Sequence, residues 1–380
     1  MDFTNPLLPG AYLGMLGGGQ LGGFFTEAAV RMGYKVVVWD PNDQAPAKRF
    51  AEKSLTTSFL DFDSAEFFLN DVNAVSLEWE NIPSELVEFL EDKTIVRPSS
   101  KSLSLAQNRI TEKTYLSKKS FPLTDFCPIY SFGDFKKVQF DMPWIVKTAT
   151  MGYDGHGQWN INQVDELQLI KDIQGDGPWV VESKVEYLCE ISVIVASDGL
   201  GKTSSFPVIE NTHSDNILRM SIYPARVPYK TQVNAKNIAE QVVSSLGDAG
   251  VFCVEMFMLD EDTVLVNEIA PRPHNSGHLT IDAFSISQYE MQVRVLCGLP
   301  LPEPLPLSPV VMLNVLGFEM ENLLKLDSMN ELLDKTNGKL YIYGKDQIKH
   351  RRKLGHIVFT GKDLSDLINQ ANLVYEKIKV

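Results

Sequence analysis

The chain is poor in cysteine and in positive charge. It has four cysteines in 380 residues, and none of them forms a C-x-x-C pair. This spacing argues against a structural zinc site and is typical of a protein from a reducing compartment. Lysine and arginine number 35 against 49 acidic residues, which gives a net charge of −14. Because basic faces bind nucleic-acid backbones, this balance argues against a nucleic-acid partner, and an anionic ligand must meet a local basic patch.

Long apolar runs are also missing. The longest uncharged stretch, residues 304–318, is too short and too rich in proline for a membrane span of about 20 residues. The first residues include Asp2 and no basic cluster, so we expect no secretory signal. These features predict a cytoplasmic protein without a membrane partner.

The alternation of predicted elements divides the chain into three domains. With 44% hydrophobic and 22% charged residues, the composition is that of a globular protein with room for two or three domains. Strands separated by helices over residues 11–98 predict an α/β domain with a doubly wound parallel sheet. Paired strands over residues 100–298 predict an α+β domain. A proline-rich connector, three strands and a last helix predict a small α/β domain, so we place the domains at 1–98, 99–298 and 299–380.

Two glutamates, Glu255 and Glu268, lie in the predicted hairpin VFCVEMFMLDEDTVLVNEIA. A two-residue turn at Glu261 and Asp262 places them opposite each other. Their Cβ atoms are then roughly 4.5–5.5 Å apart and their charges repel, so we expect a cation between them. Oxygen ligands beside phosphates suit Mg²⁺. Two solvated carboxylates are the alternative, but the loop that follows, with Arg272 between two prolines, favours a ligand site.

Two glycine-rich segments predict loops that bind phosphate. Residues 17–22 fit G-x-G-x-x-G between a strand and a helix, with Asp40 about 20 residues further on. Such a loop serves a ribonucleotide phosphate as readily as a nicotinamide dinucleotide, and a plain tight turn is the alternative. Residues 151–158 follow Lys147 and lack the G-K-[ST] ending of a P-loop. Their glycines predict a flap over a polyphosphate, with an ordinary hairpin as the alternative.

Two further segments carry candidate binding groups. The backbone of residues 182–185, at a strand end, is placed to pair with an adenine edge, and Glu190 with ribose hydroxyls; a plain edge strand is the alternative. Residues 345–353 hold six basic side chains in a strongly acidic protein. A solvated turn is the common explanation of such a run, and we favour an anion pocket between strands.

The order of these elements resembles the ATP-grasp superfamily, which clamps ATP and Mg²⁺ between two α+β lobes. Within it, four motifs in order resemble the 5-(carboxyamino)imidazole ribonucleotide synthases: GGGQLG, GYDGxGQ, NEIAPRPHNSGH and GKxxxxxxRKLGH. The resemblance spans nearly the whole chain. It implies an N-terminal pre-ATP-grasp domain, a central ATP-grasp domain, a small C-terminal domain and a homodimer.

The resemblance also implies a ligase of purine biosynthesis. ATP would phosphorylate bicarbonate, and the exocyclic amine of 5-aminoimidazole ribonucleotide would capture the resulting carboxyphosphate or the CO₂ released from it. ADP and phosphate leave. The implied small molecules are ATP, bicarbonate and the ribonucleotide, with Mg²⁺ as the metal.

By the same resemblance, site residues fall into four groups. The ATP-binding residues are Arg109, Lys147, Gly152, Tyr153, Asp154, Gly155, His156, Gly157, Gln158, Glu182, Ser183, Lys184, Val185, Glu190, His213, Asn267 and Glu268. The metal ligands are Glu255 and Glu268. The ribonucleotide contacts are Gly19, Gln20, Leu21, Lys345, Arg352 and one of Glu78 and Glu80, with Glu78 preferred. The residues implied in the chemistry are Asp154, which accepts the proton of the amine, Arg272, which positions bicarbonate or the phosphoryl group, and Lys345 and Arg352.

Two departures and three alternatives accompany this assignment. Lys349 occupies a place often taken by arginine, so the charge is kept and the bidentate geometry is lost. His156 stands in the flap where many relatives carry arginine or lysine, so a titratable group replaces a permanent cation. Another ATP-grasp enzyme, such as a biotin carboxylase or a formate-using purine enzyme, is the nearest alternative, but biotin carboxylase does not need a ribonucleotide phosphate pocket. A nicotinamide-dependent dehydrogenase leaves the paired glutamates unexplained, and a non-catalytic nucleotide-binding regulator leaves the acidic pair without a task.

Overall fold

Three β-sheets organise the chain in the computed structural model, which describes residues 5–152, 157–175, 177–345 and 347–379. One sheet is parallel and two are antiparallel. This arrangement confirms the predicted combination of a parallel α/β unit with an α+β region.

The first sheet belongs to the N-terminal unit. Its strands and helices are β1 (Tyr12–Leu16), α1 (Gln20–Arg31), β2 (Lys35–Trp39), β3 (Lys53–Leu55), α2 (Phe62–Leu69), β4 (Ala74–Leu77), α3 (Ser84–Glu91) and β5 (Ile95–Arg97). The strands pair in parallel in the order β3-β2-β1-β4-β5. Strands β1, β2 and β4 are almost wholly buried because helices cover both faces. The chain order reverses between β1 and β4, and ligands of doubly wound folds bind at the carboxyl ends of strands at such a point.

The second sheet is small and antiparallel. It contains β6 (Phe126–Ile129), β7 (Trp144–Thr148), β8 (Gln158–Ile161) and β9 (Trp179–Ser183), in the order β6-β9-β7-β8. The helices α4 (Ser100–Gln107) and α5 (Arg109–Lys118) precede it, and α6 (Leu167–Gln174) lies between β8 and β9. Asn108 ends α4 and caps α5, since its side chain accepts from the amides of Ile110 and Thr111.

The third sheet has nine strands and runs through the rest of the chain. Its elements are β10 (Cys189–Asp198), β11 (Thr203–Ser205), β12 (Ile209–Ser214), β13 (Ile217–Tyr223), α7 (Tyr229–Leu246), β14 (Ala249–Met258), β15 (Val264–Ala270), α8 (Thr280–Ala283), α9 (Gln288–Leu296), β16 (Val310–Leu316), α10 (Glu319–Leu323), α11 (Leu326–Lys335), β17 (Lys339–Ile342), β18 (Lys353–Thr360) and α12 (Leu364–Ile378). The order is β15-β14-β10-β12-β13-β16-β18-β17, with β11 on β10. The three C-terminal strands therefore continue the central sheet through the pairing of β13 with β16.

Helix α7 covers one face of this sheet. Its buried side chains recur every three or four residues and include Ala235, Ala239 and Val243, so the helix is amphipathic. They pack in one core with Val254 and Val266 of the β14–β15 hairpin. The opposite face of the hairpin is therefore left for polar side chains. No helix among the described residues is both long and apolar enough to cross a membrane.

Candidate active site

Strands β14 and β15 bring the two predicted metal ligands opposite each other. Glu255 pairs with Glu268 in the observed register, as the sequence predicted. The predicted two-residue turn is wrong, because the next pair toward the turn is Met256 with Val266, which leaves Asn267 as an extra residue. A longer turn and this β-bulge offset each other, so the register at the glutamates is preserved.

The bulge decides which side chains face the site. Val266 and Ile269 are both buried in the core beneath the sheet, although they are three residues apart. A regular strand alternates faces and would place one of them on the other side. With one extra residue between them, Asn267 and Glu268 both face the side where Glu255 lies. Oδ1 of Asn267 is buried there without a hydrogen-bond partner among the described residues.

Two basic side chains flank the glutamates. Nε2 of His274 lies 3.0 Å from Oε1 of Glu255, and Nη2 of Arg109 lies 3.8 Å from Oε2 of Glu268. Burial by itself raises the pKa of Glu255, but His274 outweighs burial and lowers that pKa to about 2. Against the effect of burial, the same contact raises the pKa of His274 to about 10. The contact therefore favours the ionised form of Glu255, which is the form that binds a metal.

The donor set of this face fits Mg²⁺ together with phosphates. Two carboxylates and the unpartnered Oδ1 of Asn267 are hard oxygen donors, which Mg²⁺ prefers. Across the part of the chain that the structure describes, no three histidine, cysteine or acidic side chains are grouped to hold a metal alone. A metal bound here therefore takes its remaining ligands from phosphates and water.

The base of the predicted flap lies beside the same glutamates. Nη2 of Arg109 donates to the carbonyl of Gly152 at 3.1 Å, and Gln158 pairs with Lys147 across β7 and β8. Gly157 adopts a φ of +72°, a left-handed conformation that favours glycine. The flap residues Tyr153, Asp154, Gly155 and His156 lie outside the described residues.

Two lysines share one buried glutamate at the neighbouring strand. Nζ of Lys147 lies 2.9 Å from Oε1 of Glu182, and Nζ of Lys113 lies 3.2 Å from Oε2. Burial by itself raises the pKa of Glu182, but Lys113 and then Lys147 outweigh it and lower the pKa to about 2. The side chain of Glu182 is thus committed to the lysines.

The backbone of residues 182–185 is partly engaged within the protein. The amide of Ser183 donates to the carbonyl of Asp125 at 2.8 Å, and the amide of Lys184 donates to the carbonyl of Pro143 at 3.1 Å. An adenine edge would therefore have to pair with other backbone groups of the segment, including those of Val185.

Glu190 and His213 come together on the adjoining strands. Nδ1 of His213 contacts Oε2 of Glu190, and the hydroxyl of Tyr187 donates to Oε1 of the same carboxylate at 2.5 Å. The ring of Tyr187 stacks on Phe257, with centroids 4.7 Å apart. Two residues predicted to bind ATP therefore meet beside a stacked aromatic pair.

The first glycine-rich loop lies where the parallel sheet reverses its order, and its amides face carboxylates. The amide of Gly18 donates to Oδ2 of Asp40 at 2.7 Å, while the amides of Gly19 and Leu21 donate to Glu78. A Cβ at Gly19 would lie 2.2 Å from Oε1 of Glu78, so any larger residue here requires the Glu78 carboxylate to move. Burial raises the pKa of Glu78 to about 7, although the amide of Gly19 opposes the shift. These loop amides are therefore engaged by carboxylates, and phosphate binding by Gly19, Gln20 and Leu21 stays a prediction.

The basic C-terminal segment reaches this loop. Nζ of Lys345 donates to Oε1 of Gln20 at 2.5 Å and to the carbonyl of Lys353 at 2.9 Å. Nη1 of Arg352 donates to the carbonyl of Gln347 at 3.0 Å. Residues 325 positions apart are thus brought together, and a basic side chain lies beside the first glycine-rich loop.

Arg272 is held by the second acidic residue of the E-W-E segment. Its Nη2 donates to Oε1 of Glu80 at 3.0 Å, and its Nε donates to Oε2, which makes a bidentate pair. Burial by itself raises the pKa of Glu80, but Arg272 outweighs it and lowers the pKa to about 2. Glu80 thus positions Arg272, while Glu78 faces the glycine-rich loop.

Several residues of the site were not predicted from the sequence. His274 lies inside the quoted motif NEIAPRPHNSGH, so a signal for it was present. Arg49, which donates to the carbonyl of Gly344 at 2.7 Å, and Lys113 had no local signal. Both act through contacts with distant parts of the chain.

Three family models match consecutive parts of this sequence. A ribonucleotide synthetase pre-ATP-grasp domain matches residues 11–107, an ATP-grasp domain matches residues 114–289, and a phosphoribosylaminoimidazole carboxylase C-terminal domain matches residues 310–370. The order and extent of the matches confirm the predicted fold class.

Relatives and solved structures agree with these models. The chain is 38% identical over 355 residues to N5-carboxyaminoimidazole ribonucleotide synthase from Bacillus subtilis, covering 93% of this chain and 92% of the relative. It is similar to the Staphylococcus aureus N5-carboxyaminoimidazole synthetase complexed with ADP, at a TM-score of 0.92, 32% identity and 98% coverage of each chain. It is also similar to the Aspergillus clavatus enzyme in complex with ADP and 5-aminoimidazole ribonucleotide, at a TM-score of 0.89, 26% identity and 98% and 99% coverage. The chain belongs to the N5-carboxyaminoimidazole ribonucleotide synthase family.

Proposed function

We propose that the chain uses ATP and bicarbonate to carboxylate the exocyclic amine of 5-aminoimidazole ribonucleotide through carboxyphosphate. The product is N5-carboxyaminoimidazole ribonucleotide, and ADP and phosphate leave. Family membership makes the chain a ligase of purine biosynthesis. It also disfavours the biotin carboxylase, formate-using and dehydrogenase alternatives.

One observation carries the assignment of the two substrates to this chain. His274, 3.0 Å from Glu255, lies two residues after Arg272, which pairs with Glu80, and Glu78 two residues earlier accepts from the first glycine-rich loop. The carbonyl of Lys353 accepts from Lys345, which contacts Gln20 of the first glycine-rich loop. The metal-binding face and the basic ribonucleotide pocket therefore border each other, as a transfer from ATP to a ribonucleotide amine requires.

On the ATP side, we assign the roles by the family resemblance, supported by the contacts described above. Arg109 and Lys147 hold phosphates, with the amides of residues 152–158 closing over them. The backbone of residues 182–185 brackets adenine, and Glu190 with His213 holds the ribose. Glu255, Asn267 and Glu268 would hold Mg²⁺, which would neutralise charge on the transferring phosphoryl group.

On the ribonucleotide side, cationic side chains bind the phosphate. Lys345 and Arg352 supply the charge, and Gln20 orients Lys345. Gly19 and Leu21 act indirectly, because their amides hold Glu78 in place to orient the aminoimidazole ring.

The reaction consists of a phosphoryl transfer followed by a carboxyl transfer, and neither step needs an oxidant or reductant. A bicarbonate oxygen attacks the γ-phosphorus, the bond to the ADP oxygen breaks, and carboxyphosphate forms beside Arg272. The amine nitrogen then attacks the carboxyl carbon, or CO₂ released from it, and phosphate leaves. The proton of the amine passes to Asp154. Because carboxyphosphate reacts readily with water, the flap closes before it forms.

The overall assignment is tested by measuring ADP release with each substrate omitted in turn. We expect ADP release that requires both bicarbonate and 5-aminoimidazole ribonucleotide. Equal release with biotin in place of the ribonucleotide, and no response to the ribonucleotide, contradicts the proposal.

Removing the charge of Lys345 should weaken ribonucleotide binding selectively. A hydrogen bond to a charged partner contributes about 1.5–3 kcal/mol, so Lys345→Gln should raise the KM for the ribonucleotide by about 10- to 100-fold. The KM for ATP should change less than about twofold, since ATP binds other residues. Steady-state kinetics check both values, and Lys362→Gln, at an exposed lysine just beyond β18, is the matched control. An unchanged ribonucleotide KM would remove Lys345 from the pocket.

The same proposal extends to assembly and location. A homodimer and a cytoplasmic location fit an enzyme of soluble small-molecule substrates, with no nucleic-acid or membrane partner. The division into domains at 1–98, 99–298 and 299–380 is part of the proposal, and the three family-model ranges support it.

A further inference from the structure

Helix α5 carries one buried carboxylate to which the proposed mechanism gives no task. Glu112 is 2% exposed, and its Oε1 accepts from the amide of Ile269 at 2.5 Å. The two residues are 157 positions apart in sequence. This contact joins α5 to β15 at the residue that directly follows Glu268.

The amide of Ile269 needs an acceptor because β15 is the edge strand of the nine-stranded sheet. Amides on the outer side of an edge strand have no neighbouring strand to pair with. The amide of Val266 donates to the carbonyl of Pro122 at 2.8 Å, and the amide of Ile269 donates to Oε1 of Glu112. A buried amide without a partner is costly, so the two acceptors hold β15 on both sides of the bulge at Asn267.

The same helix also contacts the other parts of the ATP site. Arg109 reaches Glu268 at 3.8 Å and the carbonyl of Gly152 at 3.1 Å. Lys113 reaches Glu182 of the small sheet at 3.2 Å. Each of these residues contacts groups that we assign to ATP or its metal. Glu112, by contrast, accepts a hydrogen bond from the backbone beside them.

We propose that Glu112 is a positioning residue for the metal-binding edge. By accepting from the amide of Ile269, it fixes the bulge that turns Asn267 and Glu268 together toward ATP. The inference rests on the proposed role of Glu268 with Mg²⁺. It depends on an acceptor oxygen rather than on charge, so a glutamine in place of Glu112 preserves the function.

Kinetics of three variants test the effect on the metal. Mutation of residues that orient metal ligands typically lowers metal affinity by about 10- to 100-fold. Glu112→Leu should therefore raise the half-saturating Mg²⁺ concentration and the KM for ATP by about tenfold or more. The KM for the ribonucleotide should stay within about twofold. Glu112→Gln should remain within about threefold of wild type in all three values. Leu116→Ala, which removes a core side chain from the same helix, should lower the Tm without shifting the Mg²⁺ dependence.

Hydrogen exchange of the Ile269 amide in metal-free protein supplies a readout that does not depend on activity. We expect protection at Ile269 to fall by about tenfold or more in Glu112→Leu relative to Leu116→Ala, and to persist in Glu112→Gln. Equal loss of protection in Glu112→Gln, or an unchanged Mg²⁺ dependence in Glu112→Leu, overturns the positioning role. Full activity of a Glu268→Gln variant would instead overturn the proposed function and leave the exchange result standing.

Discussion

Replacing Glu268 with glutamine should lower the turnover number by about 10³-fold while the protein stays folded. Loss of one group that stabilises transition-state charge costs about 10²–10³ in turnover, and Glu268 is one of the two carboxylates that pair across β14 and β15. Glutamine keeps the shape of the side chain, and it removes the repulsion with Glu255 in the metal-free protein. Turnover of ATP and the Tm without metal are the two measurements.

The matched control for this variant lies in the same hairpin. Glu261 is exposed in the turn between β14 and β15, so Glu261→Gln should leave both turnover and Tm unchanged. If Glu268→Gln kept wild-type activity, Glu268 would not be a metal ligand, and the roles of Glu255 and Asn267 would fall with it.

Replacing Glu182 with alanine should destabilise the protein by about 3–5 kcal/mol, because removing one partner leaves a buried charge uncompensated. The side chains of Glu182 and Lys113 are 3% and 2% exposed, and Lys147 loses its partner as well. The free energy of unfolding in urea at pH 7 measures the effect. Replacing Lys113 with methionine in the same variant should recover part of the loss, since fewer buried charges then remain unpaired.

The effect of Glu182 should disappear in acid. Its folded pKa is lowered from 4.5 to about 2, because Lys113 and Lys147 outweigh the effect of burial. A lowered folded pKa stabilises the protein fully above about pH 4.5, and the contribution is lost as the pH falls toward 2. The exposed pair of Glu66 with Lys93 is the control, and Glu66→Ala should change stability by less than about 0.5 kcal/mol. Equal effects of the two alanine variants at pH 7 would contradict the account.

Much of the fold followed from local patterns. The alternation of buried strands and helices predicted the parallel sheet, because period and turn signals are local in sequence. β3, with three residues, is too short to produce such a pattern, and α7 is amphipathic with few large apolar residues. The continuity of the C-terminal strands with the central sheet depends on the pairing of β13 with β16, for which the sequence carries no local signal.

In the candidate site, too, features that depend on neighbouring residues were predicted, and contacts between distant segments were not. The opposition of Glu255 and Glu268 was predicted, but from a turn that the structure does not contain; the bulge at Asn267 restores the register. Other features join segments far apart in sequence, such as Glu78 under the first glycine-rich loop and Glu80 on Arg272. Charge type alone does not say which carboxylate meets which partner, so these contacts required the three-dimensional structure.

The transfer of oxygen from bicarbonate to phosphate tests the proposed reaction most directly. The enzyme would be incubated with ATP, the ribonucleotide and bicarbonate labelled with ¹⁸O, and the released phosphate analysed by mass spectrometry. Attack of bicarbonate on the γ-phosphorus predicts one bicarbonate oxygen in each phosphate, together with ribonucleotide-dependent ADP release. Phosphate without the label would mean that water attacks ATP, and it would contradict a carboxyphosphate mechanism.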